Sequence, residues 1–168
     1  AIGAILLYIW LRFEWQFGIG AVIALAHDVF TTIGLFSLLE LEFNLATVAA
    51  VLTIAGYSIN DTVVIYDRVR ENLRRYKKMA LIDLFNQSIN ETLARTIMTS
   101  LTTLLALFAL YLFGGEVIRG FAVALLWGVV IGTYSSVALA VPVLLYLRPD
   151  RGVTDDSDNI TAVEQEVV

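Results

Sequence analysis

Cysteine is absent from this chain of 168 residues, histidine occurs once and proline twice. Without cysteine there is no disulfide framework, no thiol nucleophile and no thiolate metal site. His27 alone cannot build a histidine cluster, so neither a metal nor a cofactor is expected. A P-loop, a GxSxG elbow and a HExxH pair are all missing, so nothing points to hydrolysis and no enzymatic role is expected. Charge is scarce as well, at 16% of residues. The net charge of -5 says little about partners, because five of the sixteen acidic residues crowd into the last fourteen positions (Asp155, Asp156, Asp158, Glu164 and Glu166). Nucleic acid is not indicated.

What the chain has instead is apolar sequence. Hydrophobic residues make up 58% of it, well above the share in ordinary soluble domains, with a mean hydropathy of +0.77. A helix needs roughly 20 apolar residues to cross a bilayer, and four segments meet that test, at about 17–39, 43–65, 96–113 and 120–147. The run from Ala1 to Leu11 is too short to span and lacks the basic flank and cleavage site of a signal peptide. It is expected to be the end of a truncated fifth membrane helix. The predicted fold is therefore an all-α transmembrane bundle over 1–148, followed by a disordered acidic tail over 149–168.

Basic residues set the orientation. Ten of the eleven fall on or near one side of the predicted bundle, and only Arg119 on the other. The positive-inside rule then places the 67–92 connection and the C-terminus in the cytoplasm. Within that connection Ile82, Phe85, Ile89 and Leu93 recur at helical spacing with no Gly or Pro among them. This predicts an amphipathic connector helix along the inner membrane surface.

The stretch "GYSINDTVVIYDRVRENLRR", residues 56–75, lodges Asn60 and Asp61 in apolar sequence. A charged side chain within a bilayer costs from ~2.5 to more than 10 kcal/mol, so such a carboxylate implies a function by default. Snorkelling to the cytoplasmic interface is the structural alternative. Thr53, Tyr57 and Asn60 extend a polar stripe above Asp61, which snorkelling does not require. The next helix carries a second stripe of Thr92, Arg95, Thr96, Thr99, Thr102 and Thr103. If the stripes face one another, Arg95 favours the ionised Asp61 and dry surroundings favour the neutral acid, the balance a proton carrier needs. Lipid phosphate is the alternative partner for Arg95.

His27, Asp28, Thr31 and Thr32 make a third polar patch near mid-span, read either as a proton relay or as a satisfied core histidine with its neighbours. Gly120, Ala124, Gly128, Gly132, Ser136 and Ala140 form a ridge of small residues that lets another helix approach closely. Pro142 is expected to bend that last helix.

The segments "AHDVFTTIGLFSLLELEFNLATVAAVLTIAGYSINDTVVIYDRVRENLRR", "NETLARTIMTSLTT" and "YLFGG" resemble the SecD/SecF family of bacterial protein-export subunits, in its SecF form, over about Ala24 to Leu147. The resemblance implies a six-helix subunit with a periplasmic domain between its first two helices. It also implies pairing with SecD, association with the SecYEG channel, and use of the proton gradient to assist a translocating preprotein across the inner membrane. On this chain the family's proton-pathway acid falls on Asp61 and its adjacent-helix arginine on Arg95. The candidate pathway is Asp61, Arg95, Asn60, Thr62 and Thr99, with His27 and Asp28 as a secondary relay and Gly128, Gly132 and Ser136 as packing positions. A purely structural subunit and a proton-driven small-molecule exporter of the resistance-nodulation-division superfamily, which the family also resembles, are the competing readings.

Overall fold

The computed structural model describes residues 15–147 and Pro149. The segment 1–11 and all but the first residue of the acidic tail, 149–168, lie outside the described residues. Among the described residues, four helices have the length and composition to cross a membrane. They are α1 (Trp15–Leu38), α2 (Leu45–Arg75), α3 (Leu81–Phe113) and α4 (Gly115–Ser135), the last running through a π-helical turn (Ser136–Ala140) into α5 (Val141–Leu147). No strand occurs among the described residues. The all-α membrane bundle expected from the apolar runs is what forms. Helix suits such sequence because lipid offers backbone groups no hydrogen-bond partners, so each segment must satisfy its own.

The connector differs from expectation. It is not a separate helix, because α2 continues to Arg75 and α3 starts at Leu81 and runs unbroken to Phe113. No Gly or Pro interrupts α3, so the polar 81–92 segment and the apolar span join into one rod. Its buried residues are Leu84, Phe85, Ser88, Thr92, Thr96 and Ser100, while Ile82 of the anticipated apolar stripe is exposed.

The turns carry recognisable stop and start signals. Asn44 and Thr47 form a reciprocal capping box at the start of α2. Arg74 and Arg75 lie in its last turn, where positive charge complements the helix dipole. Gly114 and Gly115 reverse the chain between α3 and α4, and Gly115 has a φ of 75° that disfavours residues with a Cβ.

Helix α2 packs against α1, α3 and α4. Only 11% of the most apolar stretch of α3 is buried in the bundle, against 44% for α2, so α3 is the peripheral helix. The α2–α4 crossing is tight. A Cβ on Gly128 would overlap the side chain of Ile54, and one on Gly132 would lie 3.1 Å from the Cβ of Ser58. Gly120, at the far end of the ridge, has no such neighbour within 4 Å. The π-helical turn immediately precedes Pro142. A proline offers no N–H and its ring crowds the carbonyl four residues back, here that of Ala138, so a widened turn accommodates it. Tyr66 of α2 donates to the carbonyl of Ala140 in this turn at 3.1 Å and is fully buried.

Candidate functional site

Cross-helix contacts fix the antiparallel register of α2 and α3. Tyr57 meets Thr103 at 3.5 Å, Arg68 meets Glu91 at 2.5 Å and Asn72 meets Ser88 at 2.9 Å. This register sets Asp61 opposite Thr99, and sets Arg95 about one helical turn nearer the polar end of the hairpin.

Asp61 is 4% exposed, and its Oδ2 is buried with no hydrogen-bond partner among the described residues. A buried carboxylate oxygen left open in this way is costly and is held by its surroundings. Arg95 is exposed, and among the described residues no carboxylate lies within 4 Å of its guanidinium. The other residues of the anticipated pathway separate. Asn60 and Thr99 are exposed, and Thr99 donates to the backbone carbonyls of Arg95 and Thr96 at 3.0 Å. Thr62 is buried and donates to the carbonyl of Ser58 at 3.1 Å.

A second buried carboxylate joins three helices. Asp28 of α1 is 0% exposed and accepts hydrogen bonds from Ser58 of α2 and, at 2.8 Å, from Ser135 of α4. Half-exposed His27 places its Nδ1 3.1 Å from the other Asp28 oxygen. Thr31 and Thr32, grouped with this pair by sequence, donate instead to the backbone carbonyl of Asp28. Sequence reasoning missed Ser58 and Ser135, the two donors that make the junction. Ser58 lies about one turn from Asp61 on α2. Asp28→Ala is expected to leave Ser58 without its partner and weaken the three-helix contact by about 1–3 kcal/mol. Thermal unfolding in detergent checks this, and an unchanged midpoint contradicts it.

At the polar end of the hairpin, outside the apolar spans, Glu91 is saturated with donors. Arg68 and Asn72 of α2 reach one oxygen at 2.5 and 3.0 Å, and Gln87 reaches the other at 2.9 Å. These bonds, that from Arg68 foremost, hold its carboxyl down at about 2. Among the described residues no group of three or more His, Asp or Glu is placed to hold a metal ion.

Comparison with known proteins places the chain in a family. Residues 1–150 match the family described as protein export membrane protein SecD/SecF, C-terminal. The chain belongs to the SecD/SecF family. It is 62% identical over 152 residues to a protein translocase subunit SecF of Cereibacter sphaeroides, covering 90% of this chain and 47% of that protein. A SecF of Rickettsia bellii is 60% identical over 141 residues, with 84% and 46% covered. The chain thus spans about half the length of these curated relatives. Among solved structures, SecDF in a super-membrane-facing form superposes with a TM-score of 0.82 at 44% identity, over 99% of this chain and 21% of that one. SecDF of Thermus, described as a translocon-associated membrane protein, gives 0.84 at 49% identity, over 88% and 20%.

Proposed function

We propose that this chain is the membrane-embedded part of a SecF-type subunit of the bacterial inner membrane that uses the proton gradient to assist preprotein translocation, with Asp61 as the proton carrier. One observation carries the reading. A buried carboxylate with an open oxygen stands on α2 one turn from an arginine on α3 that has no contact ion pair among the described residues. Charge in apolar surroundings is retained where it is used. Arg95 stabilises the charged form of Asp61, and exclusion of water favours the neutral form, so small helix movements decide between them. His27 and Asp28 form the secondary route.

Asn60 and Arg95 are exposed side by side with Thr99 on this bundle, and hydrocarbon offers polar groups no partners. That face suits a SecD-type partner, and the SecYEG channel is the proposed site of action. The test compares the full-length protein with its SecD-type partner in proteoliposomes carrying the translocation channel and an imposed proton gradient. Asp61→Asn and Arg95→Ala should each impair gradient-driven export, and their combination should be less than additive. Full activity of either single variant removes the proposed pair.

We further propose that the 76–80 turn faces the cytoplasm, on the strength of the basic residues gathered around it. Lys77→Cys should label with an impermeant maleimide from inside-out vesicles only. Labelling from intact spheroplasts reverses the topology.

A further inference from the structure

Arg95 stands between two carboxylates. Asp61 lies about one turn deeper on α2, and Glu91 lies four residues earlier on α3 itself, one turn toward the polar end. Glu followed by a basic residue at i+4 is the favourable order for a helical ion pair. With no break in α3, Glu91 and Arg95 share a face. A contact pair between them would therefore be expected, yet none occurs within 4 Å. Glu91 is instead taken by α2: Arg68 and Asn72 share its Oε2, and Gln87 holds its Oε1. Asn72 is 1% exposed and donates to Ser88, so the surface pair of Arg68 and Glu91 is backed by a buried contact between the two helices.

We propose that Arg68, supported by Asn72, is a positioning residue that sequesters Glu91 and so keeps the Arg95 charge available to Asp61. The inference rests on the reading of Asp61 and Arg95 given above. A bond between ionised groups at 2.5 Å outcompetes the looser attraction that a helical neighbour four residues away would offer. Remove the Arg68 guanidinium, and the nearest cation on the helix of Glu91 is Arg95. Swung toward Glu91, Arg95 moves away from Asp61, and the carboxylate loses the charge that helps it release its proton. Arg68 also binds Glu71 at 2.6 Å, which keeps its own head group oriented along the α2 surface.

The experiment uses the full-length protein with its SecD-type partner in proteoliposomes, reading gradient-driven export at equal amounts of inserted protein. Arg68→Gln should lower export about twofold, the scale of a solvent-exposed helical Glu–Arg pair. The combination of Arg68→Gln with Glu91→Gln should recover at least half of the loss, because no carboxylate is left to draw Arg95 away. A hairpin clamp with no bearing on Arg95 gives no rescue, since the contact is already lost once Arg68 is replaced. Rescue therefore supports the inference. Full activity of Arg68→Gln, or a double variant no better than the single one, overturns it. If Arg68→Gln does not accumulate, Arg68→Lys carries the same test: its smaller loss should again be relieved by Glu91→Gln, and a loss left unrelieved overturns the inference. Arg95→Ala in the same assay separates the two levels. When Arg95→Ala is inactive and rescue fails, only the sequestration falls; when Arg95→Ala is fully active, the Asp61–Arg95 reading falls and takes the sequestration with it.

Discussion

Asp61→Asn in the full-length protein is expected to abolish gradient-driven export while leaving membrane insertion and partner association intact. The amide is nearly isosteric with the carboxyl, so α2 keeps its packing against α1, α3 and α4. What it cannot do is take up or release a proton. Asp61 is buried with one oxygen unpartnered, so the substitution removes no hydrogen bond at that atom. Loss of activity without loss of stability is thus the signature expected of a carrier. A residue that merely glues helices would show the reverse. Asp61→Glu should keep part of the activity, since the chemistry survives and only the reach changes. For Arg95, a lysine should recover part of what alanine loses, because it restores a point charge but not the planar fork. Export measured with and without the gradient, at matched protein levels, distinguishes these outcomes.

Gly128→Leu is expected to have the largest effect on stability. The position faces Ile54, itself 1% exposed, and even a single Cβ there would overlap its side chain. Ile54 cannot yield outward, because it belongs to a buried cluster with Phe36, Ala50, Ala124 and Leu125. Overpacking of this kind costs about 1–3 kcal/mol in a well-packed core, and separation of α4 from α2 adds to it. Gly132→Leu should act in the same direction against Ser58. It would also disturb the Ser58–Asp28 bond one residue layer away. Gly120→Leu, at the open end of the ridge, is the internal control and should be tolerated. Detergent unfolding curves for the three variants provide the check; equal midpoints would place the ridge against lipid.

The membrane helices could be read in the sequence because hydrophobic length is a strong local signal, and their spans came out within a few residues on the apolar sides. The polar ends could not. Residues 67–92 carry no apolar run to mark where helix stops, so α2 and α3 reach further than the bilayer requirement and absorb the expected connector. Asp61 and Arg95 were legible as charges out of place in apolar sequence. Their depth was not, since the register of α2 against α3 depends on contacts such as Arg68 with Glu91 that sequence leaves among ordinary solvated charges. The Asp28 junction was only half legible. Its donors Ser58 and Ser135 lie 30 and 107 residues away, and a serine in a membrane helix gives no sign of which neighbour it will meet. The small-residue ridge shows the same limit. Four-residue spacing marked a packing face, but only the structure separates Gly128, pressed on Ile54, from Gly120, which meets nothing.

Asp61 as a group that changes protonation is the centre of this account, and pH-difference infrared spectroscopy of the full-length protein in lipid vesicles measures it directly. The wild type should show a reversible carbonyl stretch from a protonated buried carboxyl. That band should be missing in Asp61→Asn and should appear at higher pH in Arg95→Ala, where the neutral acid is no longer opposed by the positive charge. An identical difference band in wild type and Asp61→Asn would contradict the account, because the titrating carboxyl would then lie elsewhere in the protein.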